Sequence, residues 1–146
     1  MAEITGIDHI YLSVSSIERA EVFYDSVLLE VLGFRKSRFM LANESHVQYF
    51  NRHFGLVLRP AREINAHNSY TPGLHHLCLR VDTIEEVVEI VRQLRTIGIE
   101  ASEAKNHPEY APDYWATHFN DPDGIRLEIT NYRQERRQRH DNWTSE

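Results

Sequence analysis

The sequence contains two copies of one pattern, and this repeat constrains the fold more than any other feature of the chain. A strand-like segment at residues 8–18, DHIYLSVSSIE, has a counterpart 67 positions later at residues 75–85, HHLCLRVDTIE. A stretch with helical spacing follows each copy and ends at a glycine, Gly33 or Gly98. Because self-similarity at a fixed spacing marks a repeated structural unit, the sequence predicts two similar modules in one chain.

Each copy of the pattern also closes with a similar pair of strands. Residues 50–59, FNRHFGLVLR, align without a gap with residues 119–128, FNDPDGIRLE, which lie 69 positions later. The DPDG sequence at residues 121–124 is a strong turn signal between two strands. We therefore expect a single domain, residues 1–146, composed of module one at about 4–60, a linker at 61–72, module two at about 73–131 and a C-terminal tail at 132–146.

Hydrophobic spacing assigns the elements within each module. Ile10, Leu12 and Val14 alternate with polar residues, which is the period of a half-buried strand. The next stretch repeats its apolar residues every three or four positions, as an amphipathic helix does. In module two the helix residues expected to face the core are Ile84, Val87, Val88, Val91 and Leu94. The predicted fold is α+β: two βαβββ modules forming one cup-shaped mixed β-sheet, with the helices on its outer face.

Composition narrows the class of protein. Hydrophobic residues make up 41 % of the chain and charged residues 26 %, and no apolar run approaches the roughly 18 residues of a membrane span. The N-terminus lacks the basic and apolar regions of a secretory signal, and the single cysteine fits a reducing compartment, so we expect a cytoplasmic protein. The net charge of −6 argues against a nucleic-acid partner, and we expect no membrane partner.

Three residues stand out as candidate metal ligands. His9 and His76 occupy equivalent positions on the first strand of each module, and Glu128 lies on the last strand of module two. Imidazole nitrogen with carboxylate oxygen suits Fe, Mn, Zn, Ni or Co, and three protein ligands leave coordination positions open for a substrate. The alternative is that each histidine is an ordinary core or surface residue. The repeat supports a site for one divalent metal ion per chain at His9, His76 and Glu128, and both interpretations stay open at this point.

The segments GIDHIYLSV, GLHHLCLRVD and FNDPDGIRLEI resemble the vicinal oxygen chelate superfamily over about residues 4–132. That superfamily includes glyoxalase I, extradiol dioxygenases, fosfomycin-resistance enzymes and bleomycin-resistance proteins. The resemblance implies paired βαβββ modules around a metal-holding cup, with ligands at His9, His76 and Glu128. It also places the fourth ligand of glyoxalase I at Arg59, and arginine has no lone pair to offer a metal ion.

The expected function is therefore that of a divalent-metal-dependent enzyme. Its substrate is a small oxygenated molecule that chelates the metal, and the reaction stays open between dioxygenase, lyase or isomerase, and transferase chemistry. The alternative is a metal-free protein that binds or sequesters a small molecule, as in the bleomycin-resistance branch. That branch does not need the three ligands, so their presence favours the enzyme.

Further residues are assigned to the expected site by their position. His118 and Tyr49 are candidates for proton transfer, with simple wall residues as the alternative. The residues expected to contact a small substrate with an anionic group are Arg59, Arg126, Tyr11 and Tyr114. For the arginines the alternative is an ion pair with a nearby acid, such as a carboxylate of module one beside Arg59.

The C-terminal tail carries four arginines, at positions 133, 136, 137 and 139, among acidic and polar residues. On an acidic protein such a segment is typical of a solvated arm. It is equally compatible with a segment that packs across a partner subunit, which would make the protein a homodimer. Both interpretations stay open at the level of the sequence.

Overall fold

The computed structural model describes residues 1–144 and confirms an α+β fold built from two βαβββ modules. Residues 145 and 146, at the end of the predicted tail, lie outside the described residues. The elements are β1 (His9–Val14), α1 (Ile17–Tyr24), a π-helical segment (Asp25–Val31), β2 (Arg35–Leu41), β3 (Glu44–Phe50), β4 (Gly55–Pro60), β5 (His76–Val81), α2 (Ile84–Thr96), β6 (Lys105–Asn106), β7 (Trp115–Asn120), β8 (Arg126–Asn131) and α3 (Glu135–Asp141).

The strands of module one form a four-stranded mixed sheet in the order β1-β4-β3-β2. The outer strand β1 runs parallel to β4, with Leu12 opposite Leu58, and the other neighbours are antiparallel. The buried side chains of this sheet include Leu12 and Val14, at alternate positions of β1, together with Val47 on β3 and Leu58 on β4. This alternation follows from the period of two along a strand, which sends every second side chain to the same face.

The strands of module two form the equivalent sheet in the order β5-β8-β7-β6, again with the first and last strands of the module parallel. Helix α2 begins with a capping box, in which Thr83 Oγ1 accepts from the Glu86 backbone N–H and the Glu86 carboxylate accepts from that of Thr83. The helix buries Val87, Ile90, Val91 and Leu94.

One detail of the predicted α2 core is wrong. Val88 is 49 % exposed, and Ile90, which was not among the predicted residues, is buried instead. The reason is the helical period, because positions 87, 90, 91 and 94 lie on one face, whereas position 88 is turned about 100° away from position 87.

The chain divides into two compact units that do not follow the module boundaries. Unit 1 comprises Met1–Gly73 together with Asn120–Ile125, and unit 2 comprises Leu74–Phe119 and the chain from Arg126 onward. Unit 1 therefore includes the DPDG turn, which the sequence places in module two. No helix among residues 1–144 is long and apolar enough to cross a membrane.

A buried carboxylate fixes the DPDG turn within unit 1. The Tyr24 hydroxyl donates to Asp121 Oδ2 at 2.8 Å, and Asp121 Oδ1 accepts the backbone N–H groups of Asp123 at 2.8 Å and Ile125 at 2.9 Å. The backbone N–H of Ser15 donates to Asp123 Oδ2 at 2.9 Å. Burial raises the pKa of Asp121 and, with the neighbouring Asp121 charge, that of Tyr24 as well.

We predict that Tyr24→Phe destabilises the protein by about 1–3 kcal/mol, because it leaves a buried carboxylate oxygen without its donor. Urea unfolding at neutral pH measures the effect. Tyr110→Phe, at an exposed tyrosine, is the matched control and should change the unfolding free energy by less than about 0.5 kcal/mol. Equal effects of the two substitutions would contradict the assigned role of the Tyr24 hydroxyl.

We propose that the two modules fold as one domain, and we predict that residues 1–73 alone do not fold cooperatively. The fragment lacks Asp121 and Asp123, which bind Tyr24 and Ser15 in the full chain, and a chain of this length buries little apolar surface. Thermal unfolding and sedimentation of the fragment test the prediction. A monomer with a cooperative transition would contradict it.

Candidate functional site

The carboxylate of Glu128 on β8 is the centre of a polar cluster in unit 2. Its side chain is only 5 % exposed, and Oε2 lies 3.1 Å from His76 Nε2 on β5. The other oxygen, Oε1, accepts a hydrogen bond from the Tyr114 hydroxyl at 2.7 Å. Each oxygen of this buried carboxylate therefore has a polar partner.

The pairing of β5 with β8 explains why these side chains meet. In the parallel register, His76 is opposite Arg126 and Cys78 is opposite Glu128. Residues at alternate positions of a strand share one face, so these four side chains lie on the same face of the sheet. The intervening Leu127 is buried on the opposite face.

His118 on β7 is also part of this cluster. Its Nε2 lies 3.6 Å from Glu128 Oε1, and its ring is 5.9 Å from that of His107. Loss of hydration lowers the pKa of His118, and the positive charge of Arg126 adds to this, although the Glu128 carboxylate opposes it. The balance favours the neutral imidazole, which can accept a proton.

Cys78 lies beside the same carboxylate but is not an activated nucleophile. The residue is exposed overall, whereas its sulfur lies 3.9 Å from the Tyr114 hydroxyl. Loss of hydration around the sulfur and the negative charge of Glu128 raise the pKa of the Cys78 thiol to about 12. A thiol that stays protonated near neutral pH is a poor nucleophile.

The predicted ligand of module one, His9, lies in unit 1 at the start of β1. Its side chain is 53 % exposed, and Nδ1 lies 2.6 Å from Asp8 Oδ2. The Tyr11 ring packs edge-to-face on His9 and also on His46, with centroids 5.5 Å and 6.0 Å away. The structure therefore places Tyr11 beside His9.

His46 on β3 is a buried residue on the same face of the sheet as Tyr11, and the sequence did not identify it. Its Nδ1 lies 2.9 Å from the Glu44 carbonyl oxygen and must donate to it, and the ring stacks on Phe39. Within the described part of the chain, His46 Nε2 is buried without a hydrogen-bond partner. The alternation of polar His46 and Gln48 with apolar Val47 in β3 is the sequence signal that could have identified it.

Arg59, a predicted substrate contact of module one, is paired with a carboxylate of its own module. Arg59 Nη2 donates to both carboxylate oxygens of Glu44, at 2.8 and 2.9 Å, and Arg62 contacts the same carboxylate. This is the module-one carboxylate that the sequence left open as the alternative partner of Arg59. The hydrogen bonds that Arg62 and Arg59 donate to the carboxylate hold the pKa of Glu44 below its usual value.

Tyr49, the second residue predicted for proton transfer, lies in the core of module one. Tyr49 is fully buried and faces the helix, with its hydroxyl donating to Asp25 Oδ1 at 2.7 Å. It lies opposite Leu56 in the sheet, on the face away from His46, because neighbouring side chains along a strand alternate in direction. The structure does not bring Tyr49 together with His46, and its role in proton transfer stays a prediction.

His76 and Glu128 supply a donor pair that fits a divalent metal ion. Imidazole nitrogen and carboxylate oxygen are both ligands of such ions, and His76 Nε2 and Glu128 Oε2 lie 3.1 Å apart. Across residues 1–144, however, no group of three or more histidine, cysteine, aspartate or glutamate side chains is arranged to hold a metal ion. The metal and the third ligand, His9, stay predictions.

Arg133 completes the surroundings of Tyr114 and was hidden in the sequence among the arginines of the tail. Its guanidinium carbon lies 4.2 Å from the centre of the Tyr114 ring. Its Nη1 is buried, and among residues 1–144 it has no hydrogen-bond partner. Helix α3, which follows, buries none of its residues. Nothing in the local sequence distinguishes Arg133 from its neighbours.

Comparison with solved structures supports the same fold. A glyoxylase/bleomycin resistance protein/dioxygenase domain from Frankia sp. EAN1pec matches with a TM-score of 0.73 and 21 % identity, over 90 % of this chain and 100 % of that chain. The fosfomycin resistance protein FosX from Listeria monocytogenes matches with a TM-score of 0.68 and 16 % identity, over 94 % of this chain and 99 % of that chain. Lactoylglutathione lyase from Agrobacterium tumefaciens matches with a TM-score of 0.66 and 20 % identity, over 89 % of this chain and 96 % of that chain.

The comparison of sequences gives the family. Among curated proteins, no sequence matches this chain. The family model of the Glyoxalase/Bleomycin resistance protein/Dioxygenase superfamily, however, matches residues 6–129, which include both modules and the Glu128 cluster. The chain therefore belongs to the glyoxalase/bleomycin resistance protein/dioxygenase superfamily.

Proposed function

We propose that the protein is a divalent-metal-dependent enzyme that acts on a small substrate with two adjacent oxygen atoms. His76 and Glu128 are the proposed ligands in unit 2, and His9 is the third by its equivalence to His76 in the repeat. The candidate metals are Fe, Mn, Zn, Ni and Co, which accept both imidazole and carboxylate ligands.

The observation that carries this proposal is the burial of the Glu128 carboxylate beside two histidines. A buried negative charge is costly unless it is paired, and its ionic partners in unit 2 are His76 at 3.1 Å and His118 at 3.6 Å. Histidine is neutral over much of the physiological pH range and then offers no full positive charge. A divalent cation held by His76 and Glu128 would compensate the carboxylate fully.

When bound, such an ion supplies Lewis-acid polarisation of the substrate oxygens. The chain itself supplies the rest of the chemistry. His118 Nε2, held beside Glu128 Oε1, is the proposed proton acceptor, since its lowered pKa keeps it in the neutral form. The Tyr114 hydroxyl donates to Glu128 Oε1 and so leaves Oε2 directed toward His76.

The proposed reaction is one of the types known in this superfamily. The chain shares its fold with a fosfomycin resistance protein and with a lactoylglutathione lyase, and transferase, lyase or isomerase, and dioxygenase chemistry all remain candidate reactions. Metal-free binding of a small molecule is the competing function, and the metal content of the protein separates the two.

We predict about one equivalent of divalent metal per chain after purification without chelators, measured by elemental analysis. His76→Ala and Glu128→Gln should each weaken Mn²⁺ or Zn²⁺ binding by at least about 100-fold, because each removes a ligand atom. His53→Ala, at an exposed histidine of module one, is the matched control and should leave binding unchanged.

Full metal occupancy in both ligand variants would contradict the assignment of these residues. If the wild-type protein binds none of the candidate ions, the metal-free binding function is favoured instead.

We also predict that Tyr114→Phe lowers metal affinity by about 10- to 100-fold while leaving about one equivalent of binding. The substitution removes the donor that orients the Glu128 carboxylate, and the partners of ligating carboxylates have effects of this size. Isothermal titration with Mn²⁺ measures it, with Tyr110→Phe as the control that keeps the wild-type affinity. Unchanged affinity in Tyr114→Phe would show that the hydroxyl does not position Glu128.

A further inference from the structure

Arg133 carries a positive charge to the edge of the Glu128 cluster. Its guanidinium carbon lies over the Tyr114 ring, 4.2 Å from the ring centre, and the Tyr114 hydroxyl donates to Glu128 Oε1 at 2.7 Å. A single phenol side chain therefore connects the arginine to the proposed metal ligand.

The buried Nη1 of Arg133 is the observation that points to a ligand. Within residues 1–144 this nitrogen has no hydrogen-bond partner and is shielded from solvent. A buried donor on a charged group is costly when it is left unpaired. The aromatic ring satisfies the face of the guanidinium but not its N–H groups, which lie in the guanidinium plane.

We propose that Arg133 binds the oxyanion of the substrate, and that the substrate class is therefore a small acid with a carboxylate, phosphonate or phosphate group. The guanidinium offers two parallel N–H donors that match such a group. This inference rests on the proposed function, because the metal-chelating oxygens of the same substrate would lie on the Glu128 side of Tyr114.

Arg59, one of the two arginines that the sequence predicts to contact an anion, is less suited to this role than Arg133. Arg59 already makes two hydrogen bonds to Glu44, at 2.8 and 2.9 Å. An anion bound through Arg59 Nη2 would have to displace that carboxylate, whereas Arg133 Nη1 has no partner to displace among residues 1–144. The sequence pointed to Arg59 and did not assign Arg133 to the site, whereas the side-chain contacts favour Arg133 over Arg59.

The test is isothermal titration of the full-length, metal-free protein with inorganic phosphate, methylphosphonate and acetate as separate probes. Arg133→Gln should weaken binding of the preferred probe by at least about tenfold, since it removes both charge and the paired donors. Arg133→Lys, which keeps the charge but not the planar fork, should give a smaller loss. Arg136→Gln is the charge-matched control, at an exposed residue of α3, and should change affinity by less than about twofold.

The probes also separate the sources of the oxyanion. Tighter binding of phosphate and methylphosphonate identifies a phosphoryl group, and tighter binding of acetate identifies a carboxylate. Unfolding midpoints of the variants, compared with the wild type, check that each variant is folded. A nuclear magnetic resonance titration of the Arg133 Nε–H signal in the wild-type protein gives a second measure of contact between Arg133 and the probe.

The inference is overturned if Arg133→Gln binds every probe like the wild type, if Arg136→Gln loses as much affinity, or if no probe moves the Arg133 signal. Its failure is distinguishable from failure of the metal proposal. His76→Ala should lose the metal and keep the Arg133-dependent anion binding, whereas Arg133→Gln should lose anion binding and keep the metal.

Discussion

The parallel pairing of β5 with β8 is the constraint on which the candidate site depends. Because the two strands run in one direction with Cys78 opposite Glu128, His76 is one step away on the same face. Parallel neighbours cannot be joined by a tight turn, so the chain must cross over between them through α2, β6 and β7. That crossover carries the loop with Tyr114 and the strand with His118, which complete the surroundings of Glu128.

Asp121 and Glu128 are two buried carboxylates in one short stretch of chain, and they have different roles. Asp121 and Glu128 each accept a hydrogen bond from a tyrosine hydroxyl, Tyr24 at 2.8 Å and Tyr114 at 2.7 Å. The other partners of Asp121 are backbone N–H groups, which fix a turn and offer no lone pair to a metal ion or a proton. The other neighbours of Glu128 are imidazoles, whose lone pairs can bind a metal or accept a proton. The first arrangement therefore stabilises the turn, and the second is suited to chemistry.

The two modules repeat in backbone but not in the polar groups of their sheets. Both sheets pair the first and last strands of the module in parallel. In module two the last strand carries Glu128, whereas in module one the equivalent position is Arg59, neutralised by Glu44. Glu128 offers lone pairs to a metal ion, whereas Arg59 is a cation. The two modules therefore cannot contribute the same set of proposed ligands. His46, buried beside Tyr11 with an unpartnered Nε2, has no counterpart among the residues that the repeat predicted.

Local periodicity in the sequence by itself determined much of this protein. The repeat and the alternation of polar and apolar residues predicted two βαβββ modules and placed His76 and Glu128 on a polar face, because strand geometry repeats every two residues. The same alternation in β3, with Val47 and Tyr49 apolar, already held the information that Tyr49 faces the helix. Only the tertiary structure decided which atoms meet across long sequence separations: Tyr24 with Asp121, Glu44 with Arg59, and Arg133 with Tyr114. Such contacts depend on the paths of turns and on side-chain rotamers, which no local pattern specifies.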